Sequence, residues 1–199
     1  MNIYEPGFES TPDGNHVHMV LLYADEARIH DPKQSCRSQP IDLNAWVPLP
    51  VRRNYSVKGN MTKPLGDRVG IDARVDPMVL SRRALDVLLP YIGTLGQVLP
   101  LAFDEAEYAF FNITNVVDAL DEAQSELKYF SDGGFHRVLR YAFKPEAVRD
   151  QLLFKIPQQA GGFAFVTDRF VEIVRAAGLT GFGFKHLWSD DEEAGAKAA

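Results

Sequence analysis

Apolar and polar positions are patterned most clearly between Phe110 and Phe143, and the expected architecture is organised around that stretch. Tyr108–Ile113 reads as an aromatic-rich strand. Ser125–Phe130 alternates, with Leu127 and Tyr129 on one face and Glu126, Lys128 and Phe130 on the other. Ser131-Asp132-Gly133-Gly134 supplies a turn, because its two glycines take positive φ at little steric cost. Phe135–Phe143 then returns as a strand, with Phe135, Arg137 and Leu139 facing one way and His136, Val138 and Arg140 the other. The link Val116–Asp121 has room for one or two helical turns. Together these pieces predict a three-strand block built on a β-hairpin.

A strand–helix–strand unit flanks the block on each side. In the first, Val79-Leu80 is a short apolar stretch and Ser81 is placed as an N-cap. Ala84, Leu85, Leu88 and Leu89 give Arg82–Tyr91 a helical stripe, Gly93 ends it, and Gln97–Phe103 is extended. Pro100 assigns that last strand to a sheet edge. In the second, Phe163–Val166 is a strand and Thr167 an N-cap, with Val166 and Val171 set as a hydrophobic staple. Asp168 puts negative charge in the first turn. Phe170, Val171, Ile173, Val174 and Ala177 form the apolar face, Gly178 is the C-terminal cap, and Gly181–Leu187 is extended. At an offset of 86 the two units align without a gap, Val79–Leu101 onto Phe165–Leu187. The shared pattern implies a shared architecture. Between the hairpin and the second unit, Glu146–Gln151 is one helical turn, Leu152–Pro157 a strand and Gln158–Gly162 a loop.

The N-terminal part is less regular. Met1–Asn15 reads as a turn-rich arm, and His16–Tyr23 as a strand. Ala24–Lys63 is interrupted by Pro32, Pro40, Pro48 and Pro50 and reads as irregular chain with short extended pieces, and Gly66–Arg74 holds a short strand. The expected fold class is therefore α+β: an antiparallel β-hairpin block flanked by two strand–helix–strand units, few short helices and a long irregular N-terminal region. Residues 1–188 form a single domain, with 1–75 irregular and 77–188 the core, and residues 189–199 form a disordered tail.

The 199 residues are 46% hydrophobic and 24% charged, an ordinary globular composition. No apolar run reaches the ~20 residues of a membrane span, and the N-terminus has no signal-peptide pattern. A single cysteine, Cys36, fits a reducing compartment. These features point to the cytoplasm. The net charge of −6 argues against nucleic-acid binding and suits a partner with a basic surface.

Candidate chemistry is sparse. His16 and His18 share one face of a strand and could hold a metal, but no third ligand has diagnostic spacing. Cys36, with His30 six residues earlier, is a candidate nucleophile whose geometry nothing fixes. His136 and His186 read as half-exposed strand residues. Asp118, Asp121 and Glu122 would share a face of a helical turn, where they could do acid–base work or meet a cationic partner. The glycines after each helix precede no phosphate loop. No catalytic centre, metal or cofactor is assigned.

Several words of the sequence resemble a bacterial polymorphic-toxin immunity protein family, immunity family eleven. They are YAFFNITNVVDALDEAQSE (Tyr108–Glu126), LFKIP (Leu153–Pro157), FVTDRF (Phe165–Phe170) and AGLTGF (Ala177–Phe182), with VLSRRAL (Val79–Leu85) and Leu99-Pro100 upstream. The likeness runs from Pro77 to Leu187. Ala123-Gln124 departs from it where the family pattern has Glu-Lys. The resemblance implies a non-enzymatic immunity protein, a monomer or weak homodimer. Such a protein binds a cognate toxin domain encoded by a neighbouring gene and blocks its active site or substrate access. It identifies no toxin-binding residues; Asp118, Asp121 and Glu122 are the candidates the residues themselves suggest. The alternative is a small metal-binding protein or hydrolase using His16 and His18 or Cys36.

Overall fold

A computed structural model describes residues 1–8, 18–21, 38–54, 61–72 and 78–191. The fold is α+β, with two extended β systems that share a helical layer. Six strands close a barrel: β1 of the chain is not among them, and they are β2 (His18–Leu21), β3 (Leu49–Arg53), β4 (Arg68–Asp72), β5 (Met78–Ser81), β6 (Gly96–Ala102) and β7 (Tyr108–Ile113). Around the barrel the order is β2-β3-β6-β7-β5-β4, closed by a parallel β2–β4 pairing. A four-stranded antiparallel sheet has the order β10 (Leu153–Phe154), β11 (Phe165–Thr167), β1 (Asn2–Gly7), β12 (Gly183–Ser189). The hairpin strands β8 (Glu126–Tyr129) and β9 (Phe135–Arg140) form a two-stranded sheet of their own.

The two strand–helix–strand units are built alike. In the barrel, β5 leads into α1 (Arg82–Ile92) and then β6, with β7 between β5 and β6 and antiparallel to both. In the sheet, after the one-turn helix α2 (Pro145–Val148), β11 leads into α3 (Asp168–Ala176) and then β12, with β1 antiparallel between them. The outer neighbours correspond too, since β4 flanks β5 as β10 flanks β11. Each unit is a split β–α–β whose middle strand comes from elsewhere in the chain.

Alternation along the strands sorts the core. Leu80, Ala109, Phe111, Leu153 and Val166 face one cluster that takes in Leu85, Leu88 and Ile92 of α1 and Phe170, Val171 and Val174 of α3. Their neighbours Val79, Leu99 and Phe110 fill the barrel interior with Leu49, Val51 and Val69. Ile3, Phe154, Phe165 and Trp188 face a third cluster with Leu120, Val138 and Phe143, rich in edge-to-face aromatic contacts. Strands buried on both faces lose the clean period-2 signal, and β7 is buried at all six positions.

Ser81 caps α1 as expected, its hydroxyl accepting from the Ala84 N–H at 3.1 Å. Thr167 stands at the N-cap of α3, but its hydroxyl donates to the Gln151 carbonyl at 2.9 Å and caps nothing. Gly178 has φ +59, and the bonds Gly178 N–H to Arg175 O and Leu179 N–H to Val174 O close α3 in a Schellman motif.

Four expectations need correction. Met1–Asn15 is not an arm at its start: Asn2–Gly7 is β1, an interior strand. The β1–β11 ladder covers only Ile3 and Tyr4, so Pro6 lies beyond it and its missing N–H breaks nothing on that side. In the rest of region 1–75, β2 and β4 fall inside the strands expected at His16–Tyr23 and Gly66–Arg74, and β3 is an extended piece of the stretch expected to be largely irregular. β7 belongs to the barrel, so the three-strand block does not form. β6 is no edge strand; its β3 ladder involves only Leu101 and Ala102, leaving Pro100 outside it. Register shifts in the hairpin pair Leu127 with Val138 and Tyr129 with Phe135, so Phe135 and Val138 both turn toward the third cluster. At the C-terminal end, Ser189 is the last residue of β12 and the Asp190 N–H donates to the Met1 carbonyl; residues 192–199 lie outside the described residues.

The two units are tied together at Asp67. Its carboxylate, nearly buried, accepts from the Ser81 hydroxyl (2.8 Å), Arg83 Nη1 (2.7 Å), and the Thr180 N–H and hydroxyl (2.9 and 3.1 Å). Arg83 also donates to the Ala177 and Gly178 carbonyls at the end of α3. Asp67→Ala should therefore lower stability in urea unfolding by about 1–3 kcal/mol, because four hydrogen bonds at the seam lose their one buried acceptor. Gly178→Ala should cost only about 1 kcal/mol, the left-handed backbone penalty, as its Cβ would meet nothing nearer than the Arg83 side chain at 4.0 Å. Gly181→Ala should cost clearly more, since its Cβ would sit 2.2 Å from the Arg68 carbonyl oxygen.

Candidate functional site

The acidic stretch lies on the segment between β7 and β8, and this segment is extended, not helical. The Asn115 carbonyl accepts from the Lys155 N–H and the Val117 N–H donates to the Lys155 carbonyl, a parallel bridge that carries the chain beside β10. Four residues later Leu120 bridges Phe143, with bonds from Asp121 N–H to Ala142 O and from Lys144 N–H to Ala119 O. With its main-chain groups spent on two flanking strands, the segment has none left for a helical ladder. Ala119 and Leu120 are buried, so the intervening acids are pushed to the surface.

Asp118, Asp121 and Glu122 consequently share no helical face, and each has its own partner. Asp118 is 72% exposed and meets Lys144 Nζ at 3.1 Å, a surface ion pair of small energetic weight. Glu122 is exposed and accepts from Gln158 Nε2 at 2.7 Å. Asp121 is a turn-former: it accepts from Gln124 Nε2 at 2.6 Å and from the Gln124 and Ala123 N–H groups. The Gln124 side-chain bond, with these backbone bonds and the Lys144 charge, holds its carboxyl below the ordinary 3.8.

This turn forms the root of the β8–β9 hairpin. The Ser125 hydroxyl both donates to the Ala142 carbonyl and accepts from the Ala142 N–H, and Arg140 donates to the Gln124 carbonyl. Beneath, Leu127, Phe135 and Val138 fasten the hairpin to the third cluster. Tyr141, also in that cluster, donates to Gln159 Oε1, and burial raises its pKa.

The other candidates are scattered. His16, His30 and Cys36 lie outside the described residues, and His18 lies on β2. His136 is exposed on β9 and stacks on Phe130 with ring centroids 4.3 Å apart. His186 is exposed on β12, 3.2 Å from Asn2 Oδ1 and edge-on to Tyr4. Among the described residues no three His, Cys, Asp or Glu side chains converge as metal ligands. No helix among them is long and apolar enough to cross a membrane.

A cleft of about 580 Å³ that the sequence did not suggest opens between the end of β1, α3 and β12. Its floor includes Val174, Leu179 and the stacked Phe182 and Phe184, and Arg175 and Lys185 stand on its rim. Arg68 lies over Phe182 and donates to the Gly7 carbonyl. None of the candidate site residues named from the sequence is among the residues that line it.

Residues 103–188 match the model of an immunity protein family, Imm11. No curated protein matches the sequence. The matched span holds the acidic turn, the hairpin and the whole second strand–helix–strand unit.

Because Asp121 titrates lower in the folded chain than in the unfolded one, its contribution to stability is complete above about pH 4 and is lost as pH falls through the folded value. Asp121→Asn keeps an oxygen to accept in the turn but no longer titrates. Its acid unfolding curve should be flatter than that of the wild type below pH 4, followed by circular dichroism; an identical curve would show that the turn does not sense this carboxyl.

Proposed function

We propose, on the premise that residues 103–188 carry the Imm11 immunity match, that the chain binds a cognate bacterial toxin domain and neutralises it by covering its active site or its substrate path. The family match is the observation that carries this reading. On this reading the chain is a stoichiometric binder acting in the cytoplasm rather than an enzyme, and its toxin is encoded by a neighbouring gene. The net charge of −6 favours rapid encounter with a basic toxin surface. At the hairpin root, Asp118 and Glu122 offer exposed carboxylates for that encounter, and Asp121 shapes the turn that presents them. Inhibition follows from occupancy: a protein this size seated over a catalytic cleft excludes substrate without doing chemistry of its own.

The test is calorimetric titration against the toxin domain of the adjacent gene with its active site disabled. One-to-one binding with Kd on the order of nanomolar supports the reading; no heat at micromolar concentrations defeats it. Asp118→Lys with Glu122→Lys should weaken binding by about tenfold and flatten its salt dependence. Unchanged affinity and salt slope would take the acidic turn out of the interface.

A further inference from the structure

The β8–β9 hairpin is built against its own stability, and the ways in which it is so share a chemistry. Lys128 and Arg137 are direct cross-strand partners. Like charges placed opposite each other on a β-ladder repel, and neither has an ion pair among the described residues. The acids of the hairpin are engaged elsewhere: Glu126 lies opposite Arg140, and Asp132 accepts from the Gly134 N–H inside the turn. Three of the eight large apolar side chains exposed among the described residues also cluster here: Tyr129 (51%), Phe130 (54%) and Leu139 (47%). Phe130 is held by its stack on His136 and Tyr129 by an edge contact with Phe135, so both rings are ordered before any partner arrives. Ordered aromatic rings beside arginine are the composition of interface centres.

We propose that the exposed face of this hairpin docks on an acidic patch of a partner protein. Resting on the reading above, that partner is the toxin domain. Carboxylates set between Lys128 and Arg137 turn their mutual repulsion into attraction, and the partner's surface covers Phe130 on its His136 stack. The acids Asp118 and Glu122 at its root and the Lys128–Arg137 pair farther along set patches of opposite sign side by side. The hairpin therefore selects a partner of complementary polarity and fixes its orientation. A nucleic-acid strand would also find cations and aromatic faces here, but a chain of net charge −6 opposes a polyanion at longer range.

The experiment titrates wild type, Lys128→Glu and Phe130→Ala against the active-site-disabled toxin domain of the neighbouring gene, and melts each free protein. Lys128→Glu sets opposite charges across the ladder, so the free protein should melt at the same or a higher temperature while its affinity falls by about tenfold or more. Phe130→Ala should also lose affinity with little change in melting. Wild-type binding left intact by both substitutions would overturn the hairpin assignment and leave the immunity reading standing. Wild-type failure to bind would overturn both. Binding of a labelled single-stranded oligonucleotide that Lys128→Glu abolishes would overturn the protein-partner assignment.

Discussion

One carboxylate sets how the two halves of the molecule meet. Asp67 stands just before β4, at the seam where the barrel's strand–helix–strand unit meets the end of its counterpart. It accepts hydrogen bonds from the cap of α1, from Arg83 two residues on, and from Thr180 just past α3. The Arg68 N–H donates in turn to the Thr180 carbonyl, and Gly181, with φ +82, passes so close to β4 that no side chain fits. A buried carboxylate must find donors or stay neutral. Here the donors come from both units, so satisfying one charge fixes the distance between two helices. Arg83 and Thr180 occupy positions that the repeat pairs with Arg169 and Thr94, yet only the former two converge on Asp67. The two units are alike in topology and differ where they join.

Much of this fold was legible in the sequence, in proportion to how local its causes are. Caps, helical stripes and the Gly178 stop are written within a few residues, and both strand–helix–strand units follow from them. The hairpin turn is likewise local, as Gly133 with φ +85 shows. What stayed hidden depends on partners far along the chain. Asn2–Gly7 has too few apolar residues to announce an interior strand, and its place is set by ladders to residues more than 150 positions away. The neighbour of β7 is likewise decided by the barrel, not by the hairpin that follows it in sequence.

The candidate site shows the same division. The acids at 118, 121 and 122 were visible as a cluster, but the helical face they were assigned depended on a turn that long-range bridges to Lys155 and Phe143 forbid. Burying Ala119 and Leu120 in an extended segment throws the carboxylates outward in different directions. Alternation named the hairpin's side chains, while two irregularities in its register decided which of them point to solvent. Lys128 opposite Arg137 is a fact of register, invisible until the strands are paired.

The interior position of β1 also bears on synthesis. Its partners β11 and β12 lie more than 150 residues further along the chain, and the Asn2–Asp168 bond alone spans 166 residues. During translation β1 must wait for these partners until residues 165–189 have left the ribosome. The barrel strands and α1, all between residues 18 and 113, need no such delay. The barrel half can condense early and serve as the platform on which the late sheet closes. A truncated product that ends before β12 would carry a finished barrel and an open, adhesive β1, the kind of intermediate that chaperones hold or proteases clear.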